Sequence, residues 1–173
     1  MIVFLIGMPA CGKTSIGKRL AKKIQFNFID LDKYLSVQEN KSVVEIFNQH
    51  GEVFFRELET KYLKEISETN ANTIISVGGG TPCYHNNIQF MFSVGKVFYL
   101  ETAVETLFLR LKESAERPLF AGLIDDEMKN KVKLLLQQRE DFYLQAHYKI
   151  NTAHKSDDSV VTEIADTIKH FVR

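Results

Sequence analysis

What this chain has little of narrows its chemistry first. Only two of 173 residues are cysteine, Cys11 and Cys83, and no C-x-x-C spacing joins them. A disulfide framework is excluded, which suits a reducing cytosol. The five histidines lack ligand spacing, so no zinc-type centre is expected. Charge of one sign is also missing: 22 basic residues balance 22 acidic ones, so no overall field draws the chain to nucleic acid or to an anionic membrane. No apolar run approaches the roughly 18 residues of a membrane helix. The apolar start Ile2–Ile6 has no basic leader, and a strand is expected there rather than an export signal. Arginine supplies only six of the 22 basic residues, which makes each arginine informative. What remains, with 45% hydrophobic residues and no repeat or low-complexity tract, is one domain over 1–173 with a sizeable core.

The strongest positive signal is Gly7-Met8-Pro9-Ala10-Cys11-Gly12-Lys13-Thr14, which fits G-x-x-x-x-G-K-[ST] directly after an apolar run. In that pattern a buried strand delivers a glycine-rich turn into a helix whose first N–H groups wrap an oligophosphate. Lys13 would reach the outer phosphates and the Thr14 hydroxyl would ligate Mg²⁺, so a nucleoside triphosphate is the expected ligand.

The rest of the chain alternates. Apolar positions Ile16, Leu20, Ala21 and Ile24 form a helical stripe, and Phe26–Ile29 reads as a short strand. Helical segments follow over 42–50 and 52–68, broken by Gly51, and then a strand over 73–77 ending in Gly78-Gly79-Gly80. A strand at 96–100, a helix at 103–113, an irregular stretch at 114–125, a helix at 126–145, a strand at 148–151 and a helix at 158–172 complete the order. Such alternation implies a parallel sheet covered on both faces, with ligands at the carboxyl ends of its strands.

Several side chains then become candidates. Asp30 and Asp32, two apart on what reads as extended chain, would face one side; one would assist a cation and the other accept a proton from an attacking hydroxyl. Alternatively the pair caps the helix that follows. Arg56 has Glu59 three residues on, so the carboxylate would fix a guanidinium aimed at a substrate anion, unless the two form a plain surface pair. Gly78-Gly79-Gly80 would let backbone approach a small ligand, or simply turn. Arg117 in the irregular stretch would bring charge to a transferring phosphoryl group, or remain solvated. Arg139 and Tyr143 share one face of a helix, and Arg110 would stack on a base or lie in solvent.

Taken jointly, in this order and at these separations, the set resembles shikimate kinase from the first strand to the last helix. The resemblance implies a P-loop NTPase fold of the nucleoside-monophosphate-kinase type: a three-layer α/β/α sandwich with a five-stranded parallel sheet, a substrate-binding helical region at 33–70 and a lid at 112–125. It implies a cytoplasmic monomer that moves the γ-phosphoryl of ATP to the 3-hydroxyl of shikimate with Mg²⁺, in the pathway to aromatic amino acids. Carried over by position, Ala10, Cys11, Gly12, Lys13, Thr14, Ser15, Arg110 and Arg117 would hold ATP, with Ala153 and His154 beside the adenine. Thr14 and Asp30 would bind Mg²⁺. Asp32, Arg56, Gly78, Gly79, Gly80 and Arg139 would hold shikimate, and Asp32, Lys13 and Arg117 would carry catalysis. The phosphate loop departs from the family pattern: Ala10 stands where glycine is usual, and Pro9 removes a donor. If position 10 needs a positive φ, Ala costs on the order of 1 kcal/mol relative to Gly. Cys11 lies where a helix start favours a thiolate, or is a small filler.

A kinase of the same fold for gluconate or a nucleoside monophosphate is the near alternative, although the latter needs several arginines on its phosphate and only Arg56 lies between Phe26 and Gly80. A nucleotide-binding regulator without turnover is the distant one. No N-K-x-D guanine-reading motif occurs.

Overall fold

The computed structural model describes residues 1–113 and 123–171. Its elements run β1 Ile2–Ile6, α1 Lys13–Ile24, β2 Asn27–Asp30, α2 Leu31–Glu39, α3 Val43–Thr69, β3 Thr73–Ser76, α4 Asn87–Val94, β4 Lys96–Glu101, α5 Val104–Lys112, α6 Asp125–Tyr143, β5 Tyr148–Asn151 and α7 Asp157–Lys169. The five strands form one parallel sheet in the order β2-β3-β1-β4-β5. Every residue of β1 is buried, as expected for the central strand of a sheet covered on both faces.

The order explains the layers. The chain steps from β1 to β2 in one direction and then back through β3, β4 and β5, so right-handed crossovers place α1 on one face and the later helices on the other. Helix α7 returns to pack against α1, tied by Ser15 Oγ donating to Asp157 Oδ2 at 2.7 Å and Arg19 Nη1 to Asp158 Oδ1 at 2.9 Å. Helices α5 and α6 pack together. A methyl on Gly17 would come within 2.5 Å of the Phe28 ring, so glycine there lets α1 lie close to the sheet.

Register sets the site. Asp30 pairs with Ser76 and Ser76 with Leu5, so β2, β3 and β1 end at one level, side by side. Their three following segments, carrying Asp32, the glycine run and the phosphate loop, are therefore neighbours although far apart in sequence.

Two expectations need correction. Asp32 is not on extended chain: β2 ends at Asp30, and Asp32 sits in the first turn of α2, whose N-cap is Asp30 with its Oδ1 accepting from Lys33 N at 3.3 Å. The capping alternative describes this segment, because a carboxylate at a strand end satisfies the free N–H groups of the helix that begins there. Helices α2, over Leu31–Glu39, and α4, over Asn87–Val94, were also missing from the expected order; at nine and eight residues each is too short for its period to show. Gly51 does break α3, with φ 79 and ψ 179 inside an otherwise helical run. No helix among the described residues is long and apolar enough to cross a membrane.

Candidate functional site

The phosphate loop needs left-handed backbone at three places. Gly7 has φ 140, Ala10 φ 65 and Gly12 φ 99, so the suspected strain at Ala10 is present. A methyl on Gly7 would meet the Leu100 carbonyl oxygen at 2.9 Å, which is why β1 exits through glycine. Gly12 is the N-cap of α1, and the next residue, Lys13, folds back so that Nζ donates to the carbonyls of Gly7 and Met8 at 2.9 Å each. A buried ammonium needs such acceptors. The Cys11 sulfur lies 3.7 Å from the same Nζ and is 1% exposed. Arg110 reaches over from α5, its Nη1 donating to the Ala10 carbonyl at 3.2 Å. Ser15 spends its hydroxyl on α7 rather than on the loop.

Thr14 joins the loop to β2. Its Oγ1 donates to Asp30 Oδ2 at 2.7 Å, so the capping carboxylate keeps one oxygen for the helix and offers the other to the loop. A hydroxyl and a carboxylate oxygen side by side at the start of α1 form the hard-oxygen donor set that Mg²⁺ accepts. The residues present therefore fit a nucleotide-bound cation.

Opposite the loop, the glycine run is packed by the remaining candidates. A methyl on Gly78 would lie 2.5 Å from Glu59 Oε1 and 3.1 Å from Asp32 Oδ1. On Gly79 it would lie 2.8 Å from Pro9 Cδ and 3.2 Å from Arg139 Nη1, and on Gly80 2.7 Å from the Arg56 guanidinium carbon. Any side chain on this run would fill the space where Asp32, Arg56 and Arg139 converge. Glycine is required here by proximity rather than by turn geometry.

Arg56 is 4% exposed, and protein groups hold much of its fork. Nη1 donates to Glu59 Oε2 at 2.5 Å, while Nε and Nη2 donate to Glu52 Oε1 at 3.2 and 3.0 Å. The Tyr84 ring lies 4.6 Å from the guanidinium carbon, a cation–π distance. Burial works against the charge on Arg56, but Glu59 and Glu52 hold its pKa above the ordinary value. Glu59, 1% exposed, is pushed up by burial, while Arg56, a hydroxyl donated by Thr81 and the nearby Arg139 oppose the shift. The surface-pair reading of Arg56 and Glu59 is overturned, since both are inside.

Arg139 is 7% exposed and its Nη1 has no hydrogen-bond partner among the described residues. A buried guanidinium nitrogen without an acceptor is costly, and an anion arriving beside Gly79 would satisfy it. One turn on, Tyr143 is fully buried and donates from Oη to the Gly79 carbonyl at 2.6 Å, which fixes the glycine run to α6. Burial raises its phenol well above the ordinary value, so it remains a donor. Cys83, half-buried, is pushed up to about 11 by burial, with Arg139 and Arg56 pulling down and Glu59 pushing up; it is a neutral thiol here.

Arg117 and most of the expected lid lie outside the described residues. Sequence reasoning overlooked Glu52, Thr81 and Tyr84. Glu52 stands four before Arg56, a spacing that signals an ion pair on one helix face, whereas Thr81 and Tyr84 reach the site only through the fold.

Comparison with known proteins shows the family and the fold. The family model described as shikimate kinase matches residues 9–169. A shikimate kinase from Bacteroides thetaiotaomicron is 40% identical over 156 residues, covering 90% of this chain and 89% of that one. A crystal structure of shikimate kinase from the same organism superposes with a TM-score of 0.92 at 37% identity, covering 98% of both chains. That of Acinetobacter baumannii, solved in complex with shikimate, gives 0.90 at 29% identity, over 98% of this chain and 93% of that one. This chain belongs to the shikimate kinase family.

Proposed function

We propose that the space between the phosphate loop and the glycine run carries out the family's reaction, transfer of the γ-phosphoryl of ATP to the 3-hydroxyl of shikimate, giving shikimate 3-phosphate and ADP. The observation that carries the assignment of roles is the convergence of Asp32, Arg56 and Arg139 on Gly78, Gly79 and Gly80, next to a phosphate loop. A neutral polyol would leave the buried Arg139 Nη1 unanswered, and a carboxylated one that also reaches Arg56 answers it.

In this reading Lys13 turns from the Gly7 and Met8 carbonyls to the nucleotide phosphates, joined by the amides of Ala10, Cys11, Gly12, Thr14 and Ser15. Arg110, already against the loop at Ala10, borders the base. Thr14 and Asp30 would hold Mg²⁺, which when bound neutralises phosphate charge. Arg56 and Arg139 clamp the substrate carboxylate. Glu59 keeps Arg56 aimed, and Tyr143 keeps the Gly79 backbone in place. Asp32 accepts a hydrogen bond from the attacking hydroxyl and takes its proton, and Arg117 belongs to the same machinery from the lid. Catalysis of this kind rests on positioning and charge neutralisation more than on covalent chemistry. We read the protein as a cytoplasmic monomer acting on ATP and shikimate alone.

The deciding measurement is ADP release with shikimate, gluconate and AMP offered in turn. Release driven by shikimate alone supports the assignment, and equal stimulation by gluconate or AMP contradicts it. Asp32→Asn is expected to lower kcat by roughly 10²–10⁴-fold. Near-normal kcat in that variant would leave Asp32 as a binding residue only.

A further inference from the structure

The two carboxylates on Arg56 differ in a way that matters. Glu59 is 1% exposed, receives Thr81 as well as Arg56, and belongs to the packed interior. The Glu52 side chain is 51% exposed. Both hold the same guanidinium, yet only Glu52 can leave it for water without a large desolvation cost, because only its carboxylate is already half solvated.

Position adds to this. Glu52 takes Nε and Nη2 of Arg56, through one oxygen, on the side of the fork away from Glu59. The Tyr84 hydroxyl donates to the same oxygen at 3.3 Å. Glu52 follows Gly51 directly, where the helix breaks at φ 79 and ψ 179 and a methyl would meet nothing within 4 Å. The backbone just before Glu52 is thus neither helical nor crowded. Meanwhile Arg139 Nη1, at the neighbouring glycine, waits for an acceptor. A guanidinium fork has five N–H donors, and those held by Glu52 are donors a substrate carboxylate would want.

We propose that Glu52 is a resident stand-in for the substrate carboxylate: it occupies Arg56 in the ligand-free protein and is displaced when a ligand carboxylate bridges Arg56 and Arg139. This rests on Arg56 and Arg139 forming the carboxylate clamp. The exchange keeps Arg56 neutralised at each stage, since one anion leaves as another arrives. It also sets specificity. A ligand without a carboxylate has no anion with which to displace Glu52, whereas a carboxylate that reaches Arg139 gains a contact Glu52 does not make. Glu52 thereby competes only with ligands that reach for Arg56.

Isothermal titration of shikimate into the wild type, Glu52→Gln and Arg56→Ala, with thermal melts of each as a folding control, tests this. Removing the competing charge should tighten shikimate binding to Glu52→Gln by about two- to fivefold, the range expected when a partly exposed ion pair no longer has to be broken. ATP affinity should be unchanged, and Arg56→Ala should lose shikimate binding. If Glu52→Gln binds shikimate as the wild type does or more weakly, Glu52 is not a competitor, and the inference is overturned even though Arg56→Ala behaves as expected. If Arg56→Ala itself keeps full shikimate affinity, the clamp reading fails first, and the inference falls with it. Should Glu52→Gln gain affinity for ATP as well as shikimate, a general loosening of the site would replace selective displacement.

Discussion

At the scale of single residues, this site is governed by which polar groups are satisfied and which are not. Lys13, Thr14, Asp30 and Glu59 all have protein partners, while one nitrogen of Arg139 has none among the described residues. A preorganised site of this kind costs less to complete than one whose charges must first be gathered. The same scale holds the chain's main departure from the family's loop, Ala10. With φ 65 it occupies a region that L-residues adopt at a cost, and its carbonyl still receives Arg110. Ala10→Gly is expected to stabilise the protein by up to about 1 kcal/mol, a rise in melting temperature of roughly 2–4 °C for a chain of this size. A fluorescence melt in the absence of nucleotide checks it, and an unchanged or lower midpoint would mean that the alanine methyl's packing outweighs the backbone strain. The positive φ was raised as a condition, from the glycine usual at this place in the family the chain resembles, and the structure has it. The orphaned nitrogen of Arg139 was not foreseen, since burial and partners depend on what packs around a residue.

At the scale of elements, most helices and strands were readable because their apolar periods are long enough to register. Strands β1 and β5 and helix α1 lie where the pattern placed them, and the ends of the other expected elements shift by at most three residues. Asp32 shows where such reading stops. Two acidic residues around a leucine look alike on a strand and in a first helical turn, and only the capping bond from Lys33 to Asp30 decides between them. The break in α3 is the clearer case. At φ 79 and ψ 179 Gly51 lies in a region essentially reserved for glycine, and the Phe47 and Phe55 rings meet across the break, tilted, with centroids 4.5 Å apart. Gly51→Ala is expected to destabilise the protein by about 1–3 kcal/mol through backbone strain, because its methyl meets no neighbour. Urea unfolding should show a lower midpoint with an unchanged m-value. A midpoint within error of the wild type would mean that the two helical halves simply fuse.

At the scale of the whole molecule, the sheet brings five strand ends to one edge, and the later helices return to close the far side. Strand β4 is held at its start by a contact from well along the chain: Val97 N donates to His147 Nδ1 at 3.1 Å, with the imidazole against Phe92 at 4.9 Å. Burial, with Lys96 adding, holds this histidine below its ordinary value of 6.5. The unfolded chain then takes up the proton first as pH falls through that value, and a protonated Nδ1 can no longer accept from Val97. The contribution of His147 to stability is therefore full above about pH 6.5 and is lost as pH falls below it. Urea midpoints measured between pH 8 and 5.5 should decline at the acid end in the wild type and decline less in His147→Asn. Parallel curves for the two proteins would show that His147 does not carry the dependence.

The amino-acid order by itself determined the phosphate loop, the alternation of strands and helices, and the pairing of Arg56 with Glu59, because each is a local pattern whose physics acts within a few residues. Only the tertiary structure decided that Gly78, Gly79 and Gly80 are enclosed by Asp32, Arg56 and Arg139, that Tyr143 pins Gly79, and that Thr81 donates to Glu59. Those relations join groups brought together by strand order and register. Parallel pairing sets β2, β3 and β1 side by side at the same level, and no local pattern in the chain encodes that adjacency.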